Sequence, residues 1–340
     1  MTATASPTTL RKATLGRTGM EISRVGFGAW AIGGPDWAVG WGAQDDADSV
    51  RAIRHAAERG VNWIDTAAIY GLGHSEEVVA RALAEIPQAE RPYVFTKCGQ
   101  VWDPADRKSK LRVGRKDSIR RECEDSLRRL RVDVIDLLQM HWPAEDGSEL
   151  DEYWQALLDL KAEGKVRAVG LSNHDAVQLE QAEALGHVDT LQPPLSAIKR
   201  GALARELPWC LARDTGVIVY SPMQSGLLSG GFSAERVAGL PSDDWRSSHP
   251  DFTGGALARN LAVAEAMKPV AERHGVSQAA VAVAWALAMP GVTGAIVGAR
   301  SPAQVDGWVA AAGLELDATD LGQIAQAIRS AGAGEGPVFG

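Results

Sequence analysis

With 340 residues, 45% hydrophobic and 23% charged, the chain can fill one large α/β barrel or two ordinary domains, which excludes a disordered or fibrous protein. Its 35 Lys and Arg against 43 Asp and Glu leave a formal charge of −8, and no basic run offsets it, which argues against a nucleic-acid or membrane-surface partner. Cys98, Cys123 and Cys210 form no CxxC pair and no segment reads as a membrane span or secretory signal, so the expectation is a soluble cytoplasmic protein with reduced thiols.

The chain opens on ATLGRTGMEISRVGFG, where two β-prone pieces around Gly-Arg-Thr-Gly predict a hairpin over about 13–25. Eight short apolar runs follow: VGFGAW (25–30), VNWIDT (61–66), YVFTKC (93–98), VIDLLQMHW (134–142), VRAVGLSN (166–173), VDTLQPP (188–194), GVIVYSPM (216–223) and GAIVGAR (294–300). Helix-like patterns such as DADSVRAIRHAAERG and DEYWQALLDLKAEGK lie between them, acidic early and basic or glycine-ended late, as helix termini prefer. Continuous apolar strands alternating with helices predict a parallel sheet covered by helices, and eight units predict a (β/α)8 TIM barrel over about 25–330 with the hairpin in front of it, one domain in all. A doubly wound sheet is the competitor, but GFGAWAIGG (26–34) and GLGHSE (71–76) both fail the G-x-G-x-x-G spacing. Two long connections, 100–116 and 224–255, fall on the C-terminal face of such a barrel, where active sites are built. The Gly-rich end, AGAGEGPVFG (331–340), reads as a flexible tail.

The polar residues that end the strands are therefore the candidates for chemistry. They are Asp65 with Tyr70 after it, Lys97, His141, Ser172 with Asn173, Gln192, Tyr220 with Ser221, and Arg300. Each alone has an ordinary explanation: a capping carboxylate, a snorkelling lysine, a core histidine, a packed phenol. Together, a lysine and an aspartate at neighbouring strand ends need each other once buried, and a tyrosine and histidine beside them complete an acid–base set.

The segments VNWIDTAAIYGLGHSEEVVARAL and CEDSLRRLRVDVIDLLQMHWP closely resemble the two signature segments of the aldo-keto reductases. The lysine of VFTKCG and the strand end VGLSN fall in the right order with the right spacing, and the resemblance spans essentially the whole chain. It implies a (β/α)8 barrel that binds NADP(H) without a Rossmann domain and acts on a small carbonyl or alcohol. By similarity the catalytic tetrad falls on Asp65, Tyr70, Lys97 and His141. Lys97, held charged by Asp65, is expected to lower the Tyr70 pKa from its usual value near 10, so that Tyr70 exchanges a proton with a carbonyl oxygen that His141 orients.

The resemblance and side-chain chemistry together imply a cofactor site. Ser172, Asn173 and Gln192 suit the nicotinamide carboxamide, and Tyr220 suits a ring stacked on it. Ser221, Met223 and Ser225 would line the pyrophosphate path, while Gly298, Arg300 and Gln304 open a segment suited to the 2′-phosphate of NADP. The chain departs from the family at Leu195, where a tyrosine is frequent, and at Gly307 and Trp308, where many relatives carry Glu-Asn. On the substrate side, Trp30, Trp102 and Trp142 fall at or just after strand ends and form the candidate pocket, with Trp37 and Trp41 in the first loop. Two other functions are weighed. One is an NADPH-binding sensor or channel-associated subunit with little turnover, and the other a Schiff-base aldolase using Lys97.

Overall fold

The computed structural model describes residues 10–35, 37–241 and 244–339. The first nine residues, part of the segment read above as carrying no secretory signal, lie outside the described residues. So do Asp36 of the first loop, Ser242 and Asp243 of the seventh, and Gly340 of the tail.

Two short strands, β1 (Lys12–Thr14) and β2 (Glu21–Ser23), pair antiparallel as the expected hairpin. The barrel strands begin with β3 (Val25–Gly28), β4 (Trp63–Asp65) and β5 (Tyr93–Cys98). A second hairpin, β6 (Gln100–Asp103) and β7 (Asp106–Arg112), interrupts them. The rest are β8 (Ile135–Met140), β9 (Val166–Ser172), β10 (Thr190–Gln192), β11 (Gly216–Val219) and β12 (Gly294–Gly298). All eight predicted runs carry a barrel strand, and the eight close on themselves with every neighbouring pair parallel.

Around the barrel run α1 (Asp46–Glu58), α2 (His74–Ala84), α3 (Lys116–Leu130), α4 (Leu150–Ala162), α5 (Ala176–Leu185) and α6 (Glu206–Leu211). They are followed by α7 (Ala234–Ala238), α8 (Gly254–His274), α9 (Gln278–Leu287), α10 (Pro302–Trp308) and α11 (Ala318–Ala331). Several start where a side chain caps them: Asp45 accepts the Ala47 and Asp48 N–H groups, and Asp175 forms a capping box with Gln178.

Alternation along the strands sorts residues to the two faces of the barrel wall. Trp63, Phe95, Leu137, Ala168, Ile218 and Ile296 form one buried interior cluster with Leu15, Met20 and Ile22 of the N-terminal hairpin. Phe27, Ile64, Val94, Leu138, Leu171, Leu191, Val219 and Val297 point the other way, into the large core under the helices. The hairpin is thus a plug at the end where strands begin: the Trp63 indole N–H donates to Ser23 O at 2.8 Å, and Asn62 Nδ2 donates to Glu21 O at 2.7 Å. Trp63 is accommodated because Gly26 on the adjacent strand has no side chain; a Cβ there would stand 2.2 Å from the indole.

The structure gives the two long connections their form and changes the expectation for the tail. The connection over 100–116 is mostly the β6–β7 hairpin, whose second strand is charged and solvent-facing. The connection over 224–255 contains α7 and three short 3-10 turns. The C-terminal segment is not a free tail: Ala333 is buried, and Glu335 exchanges backbone hydrogen bonds with Ile198 and Arg200.

Replacing Gly26 by alanine forces Trp63 out of its place, and overpacking of this kind costs about 1–3 kcal/mol. Urea unfolding of Gly26→Ala is expected to shift to lower midpoint with an unchanged slope.

Candidate active site

The same alternation that fills the barrel with apolar side chains carries polar ones to its mouth. Two residues beyond interior Trp63 comes Asp65; beyond Phe95 comes Lys97; beyond Ile218 comes Tyr220. Asp65, Lys97, Ser172 and Gln192 are all buried there.

Lys97 Nζ donates to Asp65 Oδ1 at 2.6 Å and to the Thr66 carbonyl at 2.8 Å, while Gln192 Nε2 donates to Asp65 Oδ2 at 2.9 Å. The carboxylate therefore binds strands on opposite sides of the mouth. Burial pushes the Asp65 carboxyl up and the Lys97 ammonium down, and their mutual attraction opposes both shifts. Tyr70 returns over this pair from the loop after β4, with Lys97 Nζ 5.2 Å from its ring centroid. His141 meets Tyr70 edge-on, ring centroids 5.7 Å apart. The four residues of the expected tetrad thus come together at one point.

Their electrostatics differ from the sequence expectation. Burial, then the negative charge of Asp65 and the neighbouring Tyr220, hold the Tyr70 phenol well above its ordinary value. The Lys97 ammonium hydrogen-bonds to Asp65 and the Thr66 carbonyl, and its attraction for a phenolate does not outweigh the burial. Burial, then Lys97, Arg112 and Lys110, hold His141 well below the usual imidazole value, so its ring is neutral.

The candidate cofactor residues form a connected rim. Tyr220 OH donates to Asn173 Oδ1 at 2.8 Å, and Asn173 Nδ2 donates to the His141 carbonyl at 3.0 Å and to Ser172 Oγ at 3.1 Å. Ser172 Oγ in turn donates to Gln192 O at 2.9 Å. Asn173 has φ 62°, a left-handed conformation that asparagine tolerates. It is supported from behind by His174, whose Nδ1 lies 2.8 Å from Ser172 O and whose Nε2 lies 2.9 Å from Tyr153 OH. Ser221 and Ser225 also have positive φ, 56° and 53°, and left-handed residues of this kind are how a backbone turns N–H groups toward an anion. Such a donor set fits a nicotinamide dinucleotide: amides and hydroxyls beside an aromatic ring, then a loop with left-handed serines, then a guanidinium. Among the described residues no group of three or more His, Cys, Asp or Glu could hold a metal ion.

Arg300 is not free. Its Nε donates to Gln44 Oε1 at 2.6 Å, and its other nitrogens donate to the Trp41 and Ala43 carbonyls. Of the five N–H donors of a guanidinium, two remain for a ligand. Gln304 Oε1 accepts the Arg300 N–H at 2.7 Å, and Gly298 ends β12 in an exposed position. Leu195 and Trp308, the departures noted above, are both core residues.

Of the candidate substrate tryptophans, Trp30 and Trp102 pack against one small cluster of Trp37, Ala67 and Ile69, on which Tyr70 also packs. Trp30 donates to Val39 O at 3.2 Å and stacks on Trp245 at 6.2 Å between centroids. Trp102 packs with Trp37, Ile69 and Tyr70 and faces a cavity of about 640 Å³ that also touches Glu122. Trp142 lies under the Arg112 guanidinium, 4.5 Å away. Sequence reasoning missed Trp245 and Arg246. Trp41 and Trp245 meet edge to face at 6.0 Å, and Arg246 lies over the Trp41 ring at 4.8 Å. No periodicity marks them, since both lie in irregular connections.

A model of the Aldo/keto reductase family matches residues 24–329. Aldo-keto reductase YhdN of Bacillus subtilis is 33% identical over 304 residues, 89% of each chain. The NADH-specific methylglyoxal reductase of Escherichia coli is 34% identical over 337 residues, 94% of this chain and 99% of that one. Among solved structures, a glycerol dehydrogenase from Gluconobacter oxydans superposes with TM-score 0.85 at 37% identity, covering 99% of this chain and 100% of that one. An aldo-keto reductase from Bacillus halodurans, at 23% identity and TM-score 0.75, shares the fold. The chain belongs to the aldo-keto reductase family and is an oxidoreductase of the class that uses a nicotinamide cofactor on small carbonyl compounds. Among the described residues no helix is long and apolar enough to cross a membrane.

Just beyond Lys97, the buried Glu122 accepts the Gly99 N–H at 2.8 Å and the Ser118 hydroxyl at 3.1 Å. Burial pushes its carboxyl up to about 7 from an ordinary 4.5. An acid whose folded pKa is raised loses stability as pH climbs from its unfolded value to its folded one. The loss is about 3 kcal/mol between pH 4.5 and 7. Glu122→Gln keeps the acceptor for Gly99 and removes the ionisation, so its stability across that range is expected to be flatter than wild type in chemical denaturation.

Proposed function

We propose that the chain transfers hydride between NADP(H) and a small aldehyde, ketone or sugar and its alcohol, with Tyr70 as general acid and base. The observation that carries the reading is Tyr70 itself, a phenol between the Lys97–Asp65 pair and His141 at the barrel mouth. When bound, the nicotinamide supplies or accepts the hydride at the substrate carbon.

The protein's own part is proton management and orientation. The Tyr70 phenol, held above its ordinary pKa, stays protonated at neutral pH and is ready to donate to the carbonyl oxygen. The Lys97 ammonium beside it becomes the counter-charge for the phenolate that remains, which makes its contribution larger after proton transfer than before. Neutral His141 offers a ring N–H to the same oxygen without placing a second cation there. Tyr220, Asn173, Ser172 and Gln192 would hold the nicotinamide by its ring and carboxamide. A Schiff-base role for Lys97 gains no support, because its nitrogen is committed to Asp65 and Thr66.

Tyr70→Phe is expected to bind the cofactor normally and to lose about 100- to 10,000-fold in kcat. Fluorescence titration together with steady-state assays over a panel of aldehydes, ketones, sugars and secondary alcohols checks it, and near-wild-type turnover refutes the mechanism.

Selection of NADP rests on Arg300, whose two uncommitted donors suit a 2′-phosphate. Arg300→Ala is expected to raise KM for NADPH at least tenfold more than KM for NADH. A wild-type enzyme that prefers NADH, as the name of the Escherichia coli relative states for that protein, would overturn this part alone.

A further inference from the structure

The loop after β11 holds three non-glycine residues in the left-handed region within five positions: Ser221 at φ 56°, Gln224 at 45° and Ser225 at 53°. Such a run persists only where its surroundings impose it. The Gln224 side chain is one such constraint. Its Oε1 accepts the Ser196 hydroxyl at 3.0 Å, and its Nε2 donates to Asp251 Oδ2 at 2.6 Å. One amide thereby ties the loop after β11 to the turn after β10 and to the segment before α8.

The turn that presents Ser196 is itself held by the C-terminal segment. Ser196 Oγ accepts the Lys199 N–H at 3.1 Å, and the next residue, Arg200, is 3% exposed. Four backbone carbonyls receive its guanidinium. One is Ala197 O of the same turn; the others are Pro337 O at 2.9 Å, Gly336 O at 3.2 Å and Ala333 O at 3.3 Å. The Arg200 N–H donates to Glu335 O at 3.0 Å, the Glu335 N–H donates to Ile198 O at 3.2 Å, and Lys199 pairs with Glu335 at 2.7 Å. Glycine is required for the fit. A Cβ at Gly334 would stand 2.1 Å from Ile198 O, and one at Gly336 2.5 Å from the Arg200 carbonyl carbon. Without the segment, a buried guanidinium loses three of its four acceptors, and the turn cannot keep its place.

We propose that the segment after α11 is a strap: docked through Arg200 and relayed through Ser196 and Gln224, it holds the loop after β11 in the shape that receives the dinucleotide. This rests on the cofactor reading above. Gln224 and Arg200 are positioning residues, and neither needs to touch the ligand.

Three variants interrupt the relay at different points: Gly334→Ala lifts the strap, Ser196→Ala breaks its link to Gln224, and Gln224→Leu removes the clamp while keeping bulk. Each is compared with wild type by fluorescence titration with NADPH and with NADH, by steady-state kinetics, and by amide hydrogen exchange over 221–228. Each is expected to weaken dinucleotide binding about tenfold, to place that loss on cofactor KM and not on kcat, and to speed exchange in that loop. Unchanged affinity with unchanged exchange in Gly334→Ala and Ser196→Ala overturns the proposal. Should Gly334→Ala fail to fold, Ser196→Ala decides alone. Wild-type protein that binds neither dinucleotide refutes the cofactor reading instead; faster loop exchange in the variants then still supports the strap, and unchanged exchange overturns it.

Discussion

The structure depends on one buried ion pair. Lys97 and Asp65 sit at the ends of adjacent strands where the apolar filling of the barrel stops, and neither charge is tolerable there alone. Each has further hydrogen-bonding partners: Thr66 O for the ammonium and the Gln192 amide for the carboxylate. Because Gln192 comes from β10, on the other side of the mouth, the pair is complete only when the barrel has closed. The same bonds that make the charges bearable therefore align three strand ends around one space.

Everything nearby responds to that pair. The loop between Asp65 and α2 is short, so Tyr70 cannot move far from it. Its base is fixed where Glu76 of α2, fully buried, accepts the Thr96 hydroxyl from β5 and the Arg129 guanidinium from α3, both at 2.6 Å. On the far side, burial first and then the Lys97 cation keep His141 neutral. Burial first and then the Asp65 carboxylate keep the phenol protonated. Acid, counter-charge and neutral donor are three consequences of one arrangement.

The outer layer of the site follows different physics. The first and seventh connections meet through Trp30, Trp41 and Trp245, with Arg246 gripped by Asp244 and lying over the Trp41 ring. Arg300 binds the first connection a second time, through Gln44. These are half-buried contacts among irregular segments. The inner site is held by strand geometry, and the outer one by side chains that reach across gaps.

How much of this was legible in the sequence depended on distance along the chain. The alternation in VNWID and YVFTK already sends Trp63 and Asp65, or Phe95 and Lys97, to one face, because a strand repeats every two residues whatever surrounds it. Strand ends, their polar residues and the eightfold repeat were therefore readable locally, and the family resemblance placed the tetrad on them. Tertiary structure decided what depends on partners far away: the direction of the Tyr70 shift, the engagement of Arg300, the meeting of Trp41 with Trp245, and the docking of a Gly-rich tail. That tail reads as flexible because glycine carries no local preference, and it is ordered because Arg200, more than 130 residues earlier, needs its carbonyls. Periodicity is a property of neighbours, whereas a buried charge is satisfied by whatever the closed fold brings to it.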